Sequence, residues 1–203
     1  MKRFAAIFLS LCLLAPLAGC AKTDTRRGKP TELKTDMIVQ PVSAKAPADA
    51  VGSYDRFAVD LFKTCYGGGN TLVSPLSVLG ALGMTAGGAA GETLAQMEDL
   101  FGMNADEIAA YLAAFGSDGE GAKLKTANSI WVREDLRVRD AFLARNAANY
   151  GAAVYKTAFG DDTAEAINKW IEEHTDGLVK DVLDRVPPDA VMYLVNALAL
   201  DAK

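Results

Sequence analysis

The sequence predicts an α+β fold built as one globular unit, and three observations carry that expectation. Between Tyr54 and Phe115, four segments in succession repeat their apolar residues at helical spacing. From Leu124 onward, three segments change to strand-like alternation or to an unbroken apolar run; helical stretches lie between them, without regular strand–helix alternation. At 203 residues, half of them hydrophobic, the chain can bury one substantial core, and no internal repeat divides it.

The first helix starts near Tyr54 and carries Phe57, Leu61, Phe62 and Cys65 on one face, so Cys65 is expected as a small buried core residue. Gly67-Gly68-Gly69 ends it by freeing the backbone. A second helix opens at Ser74-Pro75: the Ser74 hydroxyl can cap free N–H groups, Pro75 occupies the first turn where no N–H is needed, and Ser77 can bond back to that turn. Its apolar face is Leu76, Leu79 and Leu82, and Gly87-Gly88 closes it. Glu92–Phe101 and Asp106–Phe115 are the third and fourth helices, and the Gly/Ser/Asp run 116–121 is a turn.

In 124–132 the residues Leu124, Thr126, Asn128, Ile130 and Val132 alternate with Lys125, Ala127, Ser129 and Trp131, the period of a strand covered on at least one face. A helix over Asp140–Tyr150 and a strand over Ala153–Thr157 follow. Asp162 with Glu165 resembles a capping box for a helix starting at 163 and carrying Ile167, Trp170 and Ile171, with Gly177 as its stop. After Pro187-Pro188, the run Val191–Leu200 is apolar enough for a central strand buried on both faces, and the amide of Asn196 inside it needs partners.

The opening MKRFAAIFLSLCLLAPLAGC has a cationic start, an apolar run over Phe4–Ala15 and a small-residue exit, the layout of an export signal too short to remain as a membrane span. Leu17-Ala18-Gly19-Cys20 looks like a bacterial lipobox, which would make Cys20 the lipidated mature N-terminus; an ordinary signal cut after Ala18 is the other reading. Residues 1–19 are then the signal, 20–50 a Lys/Thr/Pro/Ala-rich tether in which a short strand at Met37-Ile38-Val39 is optional, and 51–203 the domain. Cys12 leaves with the signal, and Cys65 remains as a free thiol with no disulfide partner. Removing Lys2 and Arg3 from the 21 basic residues leaves 19 against 26 acids, a net −7 that disfavours nucleic acid as a partner.

No catalytic, metal or cofactor site emerges. The glycine runs 67–69 and 116–121 fit no phosphate-binding fingerprint, since Ala122 precedes Lys123 and no Ser or Thr follows it. His174, the one histidine, sits at a helix end beside Glu172 and Glu173, where a solvated side chain is favoured by the helix dipole. No reactive Cys and no Gly-x-Ser-x-Gly elbow accompanies it, and Asp161-Asp162 reads as helix-start charge.

The segment Asn70-Thr71-Leu72-Val73-Ser74-Pro75-Leu76-Ser77 with Ala81-Leu82, Met84, Gly88-Ala89-Ala90-Gly91-Glu92-Thr93 and Gln96-Met97 resembles the opening pattern of the serpins, the serine protease inhibitor family. Ala127–Val132, then Ile167-Asn168-Lys169-Trp170-Ile171 with Thr175 and Gly177, then Leu194-Val195-Asn196-Ala197-Leu198 follow in the family's order, so the resemblance covers nearly all of 54–203. Leu178, where the family often has Lys, and Gly88 are minor departures.

The resemblance implies that the helices starting at 54, 75, 92, 106, 140 and 163 are helices A to F, and that strands 124–132, 153–157 and 191–200 are strands 2, 1 and 3 of sheet A. It places Ser74, Ser77 and Asn196 in the shutter, where the sheet parts to admit another strand. It also implies that the C-terminal half, with the reactive loop, is missing, so that no reactive-centre residue is present and the isolated chain is marginal and inactive alone. The implied function is inhibition of a serine or cysteine protease by reactive-loop insertion in the complete domain. The alternative is a membrane-tethered, non-inhibitory fragment that pairs with a separate C-terminal half. In both, the chain is not an enzyme, needs no cofactor, and is exported and held at the bacterial envelope through lipid on Cys20.

Overall fold

A computed structural model describes residues 29–33, 45–114 and 122–202; the export signal, Cys20, Met37–Val39 and the turn 116–121 lie outside the described residues. The helical half comprises α1 (Ala50–Cys65), α2 (Pro75–Ala86), α3 (Gly91–Phe101) and α4 (Ala105–Ala113). Their facing side chains Phe57, Leu79, Phe101, Met103, Ile108 and Tyr111 form one buried cluster, in which Phe57 meets Phe101 edge-on at 5.5 Å between ring centroids. Helix α4 starts one residue earlier than expected because Asn104 caps it. Its Oδ1 accepts from the N–H groups of Asp106 and Glu107 at 3.0 Å each, while Glu107 Oε2 accepts from the Asn104 N–H at 2.9 Å.

Cys65 is exposed, contrary to the buried position expected for it. The buried stripe of α1 runs Ala50, Ser53, Phe57 and, partly covered, Leu61; one turn later the helix has passed beyond the helices it packs on. Phe62 lies off that stripe, 43% exposed, and stacks on Tyr66.

The sheet contains β1 (Thr31–Glu32), β2 (Ala122–Arg133), β3 (Ala153–Thr157) and β4 (Met192–Ala202) in the order β1-β3-β2-β4. β2 and β3 run parallel and are joined through α5 (Asp140–Tyr150), as a crossover connection requires. β4 is antiparallel to β2, and β1 antiparallel to β3. β1 is a difference from the tether reading: two residues with no apolar period are ordered by the exposed backbone edge of β3.

Alternation along the strands divides the sheet into two covered faces. Ile130, Val132, Val154, Met192 and Leu194 pack with Met84 of α2 and Leu143 of α5, while Trp131, Tyr155, Tyr193 and Ala197 pack under Ile167, Trp170 and Ile171 of α6 (Asp161–His174). The box expected at Asp162 and Glu165 is absent. Gly160 holds the N-cap position without a side-chain bond, which places Asp162 inside the first turn rather than before it.

β4 lies at an edge of the sheet, although its apolar run read by itself suits a central strand: β2 pairs with one side, and among the described residues no strand pairs with the other. One face is covered in its middle, where Ala197 and Ala199 are buried; on the other face Asn196 and Leu198 are half-buried and Leu200 is 61% exposed.

Candidate functional site

The site is built where α2 meets β4. Ser74 caps α2 as expected: its Oγ accepts the Ser77 N–H at 3.3 Å and donates to Ser77 Oγ at 3.2 Å. One turn on, α2 comes so near the sheet that a Cβ at Gly80 would stand 3.1 Å from Asn196 Nδ2. At Gly83 the approach is tighter still, 2.7 Å to Tyr150 Oη and 2.8 Å to Ile108 Cγ2, so a Cβ there would force one of these side chains to shift.

Asn196 faces Asn128 across the β2–β4 ladder, and its Nδ2 donates to Asn128 Oδ1 at 2.8 Å. Asn128 Nδ2 in turn donates to the Tyr150 carbonyl at 2.7 Å, and Tyr150 Oη donates to the Ala105 carbonyl at 3.1 Å. Arg145 closes the row by donating from Nε (3.1 Å) and Nη2 (2.5 Å) to Asp106 Oδ1. A continuous polar row thus ties β4 through β2 and α5 to the start of α4. Burial raises the Tyr150 hydroxyl pKa, the nearby Asp106 carboxylate adds to the rise, and Arg145 opposes it.

Asn196 Oδ1 is buried and accepts no hydrogen bond among the described residues. A buried acceptor without a donor costs about 1–3 kcal/mol, so this amide is half satisfied. Ser77 and Asn196 share one wall of a groove of about 480 Å³ that follows β4 and is closed opposite by Ile167, Ile171, Val179 and Leu183. Of the three residues expected together, the serines are bonded to each other, and Asn196 lines the same groove as Ser77 but is bonded to Asn128 instead. Asn128, Tyr150, Gly80 and Gly83 were not singled out from the sequence, although Asn128, a second amide sharing a strand face with Leu124, Ile130 and Val132, was a readable signal.

The direction of the open edge follows from the ladder. The Arg133 N–H donates to the Val191 carbonyl at 2.9 Å, so Tyr193, Val195, Ala197 and Ala199 direct their backbone groups to β2. Met192, Leu194, Asn196, Leu198 and Leu200 therefore direct N–H and C=O away from β2, into the groove.

His174 is exposed, stacks on Trp170 at 4.1 Å, and holds Nδ1 2.8 Å from the Trp170 carbonyl, a helix-end position. Among the described residues no group of three or more His, Cys, Asp or Glu side chains converges.

A family model described as "Serpin (serine protease inhibitor)" matches residues 52–203, most of the chain. The chain belongs to the serpin family. Similar serpins include leukocyte elastase inhibitor of Bos taurus, 32% identical over 160 residues (73% of this chain, 42% of that protein), and neuroserpin of Homo sapiens, 34% identical over 141 residues (64% and 34%). A serpin-like protein of Thermococcus kodakarensis is 28% identical over 163 residues (75% and 38%). Among solved structures, the thermophilic serpin tengpin in its native state is 35% identical with a TM-score of 0.73, covering 87% of this chain and 48% of that one. The same serpin in its latent state is 37% identical with a TM-score of 0.74, covering 79% and 46%. The chain therefore spans less than half the length of these relatives. Its fold is that of a partial serpin domain in which β2, β3 and β4 form part of sheet A.

Proposed function

We propose that this chain supplies the strand-receiving half of a serpin-type inhibitor of a serine or cysteine protease. One observation supports this most: β4 offers an eleven-residue edge whose outward backbone groups line a groove between α2 and α6. In the reaction the resemblance implies, the protease nucleophile attacks a bait loop and holds its N-terminal part as an acyl-enzyme while the amine side leaves. That N-terminal part then enters beside β4, each new ladder hydrogen bond contributing about 0.5–1.5 kcal/mol net. The half-satisfied Asn196 would lie at the opening, where an incoming donor could complete it. No residue of this sequence is assigned as the bait.

A peptide matched in length to β4, extended and rich in Thr and Val, should raise the thermal midpoint of the chain on annealing; a midpoint unmoved by saturating peptide contradicts the strand-receiving role. Inhibition itself would be read as an SDS-resistant complex between the completed domain and a serine protease. Cleaved inhibitor beside fully active protease would refute it.

A second reading, a membrane-tethered partner for a separate polypeptide, is favoured by the apolar stripe Val51, Val59, Phe62 and Tyr66, exposed along α1. A chain that stays monodisperse and indifferent to any C-terminal serpin half counts against it. In both readings Cys20 carries lipid and holds the exported domain at the envelope, supported by the layout of residues 1–20.

A further inference from the structure

The tether between Cys20 and the domain is not uniform, because part of it is a strand. Thr31 and Glu32 pair with Lys156 and Tyr155, and the ladder continues as the Leu33 N–H donates to the Val154 carbonyl at 2.8 Å. The Leu33 side chain packs into the cluster of Ile130, Val132 and Val154, so main chain and side chain both hold the segment. Val154 directs its carbonyl, and hence its N–H, to β1, and Lys156 two residues on does the same. The edge of β3 is thereby closed by the chain that leads back to the lipidated cysteine.

The geometry points to β1 being a strap that sets how far the domain stands from the membrane: with β1 docked on β3, the path from Cys20 to the domain counts ten residues, 21–30, rather than the 29 that precede α1. This rests on the reading of Cys20 as lipidated. Fully extended, the 11 steps from Cys20 to Thr31 reach at most about 40 Å, whereas the 30 steps to Ala50 would reach about 105 Å. As a flexible coil the shorter path averages roughly 18 Å and the longer roughly 30 Å. The strapped domain, with its groove, is a membrane-proximal device whose partner must come to the envelope surface. Residues 34–49 follow the strap in sequence and so do not enter that distance.

Two insertions test this without touching the fold. Full-length lipidated protein is reconstituted in vesicles of phosphatidylethanolamine and phosphatidylglycerol, with a donor dye on Cys65, the exposed free thiol, and an acceptor dye on lipid headgroups. A Gly/Ser insert of about ten residues between Arg26 and Arg27 lengthens the strapped path and should lower transfer. The same insert between Pro41 and Val42 lies beyond the strap and should leave transfer unchanged. Equal loss from both inserts, or loss from neither, overturns the strap. Hydrogen exchange adds a readout independent of lipid: the Val154 and Lys156 amides should be protected in the parent protein and exposed in Leu33→Pro. Mass spectrometry showing Cys20 without an acyl group would sink the anchor reading while leaving the exchange result to judge the strand.

Discussion

Replacing Gly83 by alanine should destabilise the protein, although alanine is the better helix former. Propensity alone would favour Gly83→Ala by up to about 1 kcal/mol in a helix interior. Against this, the new Cβ would stand 2.7 Å from Tyr150 Oη and 2.8 Å from Ile108 Cγ2, and Ile108 is fully buried. Overpacking of that kind costs about 1–3 kcal/mol. Moving Tyr150 aside also breaks its bond to the Ala105 carbonyl, about 1 kcal/mol more. The expected net loss is about 1–3 kcal/mol, or roughly 2–4 °C in melting temperature per kcal/mol for a chain of this size. Gly52→Ala in α1 is the control: nothing lies within 4 Å of its Cβ, so it should gain about 0.5–1 kcal/mol. Urea unfolding of protein lacking residues 1–20, followed by tryptophan emission, reads both. A Gly83→Ala protein as stable as the parent would refute the close α2–sheet contact.

The Asn128–Asn196 pair should be non-additive: each single leucine variant leaves one amide buried without its partner and costs about 1–3 kcal/mol, while the double variant costs less than the sum. Additive losses in a double-mutant cycle would show that the amides do not pair. Tyr150 should make stability fall above pH 10. Its folded pKa is raised above the ordinary 10.0, so its contribution is full below that value and declines as the unfolded state alone loses the proton. Tyr150→Phe should flatten this part of the stability profile, and an unchanged slope would contradict the burial argument.

The helices and three of the strands were legible because their apolar periods are long and the punctuation at Ser74-Pro75, Gly87 and Gly177 is strong. Asn104 carries a readable signal: Asn104-x-x-Glu107 is a capping box in plain sequence, and it starts the helix at Ala105, one residue ahead of the expected Asp106. The position of Asn196 could be read, but not its partner. That it bonds to Asn128 rather than to Ser74 or Ser77 depends on a ladder register fixed between residues 68 apart. Cys65 failed because periodicity tells which face is apolar, not where the neighbouring helices end. β1 was illegible in principle, since two residues carry no period and are ordered only by the edge they meet.

The strand-receiving role is tested most directly by hydrogen exchange at single residues of β4. With an extended peptide added, the amides of Met192, Leu194, Asn196, Leu198 and Leu200 should pass from fast exchange to protection, while Tyr193, Val195, Ala197 and Ala199, already bonded to β2, stay protected throughout. Five amides that still exchange freely under saturating peptide would contradict it.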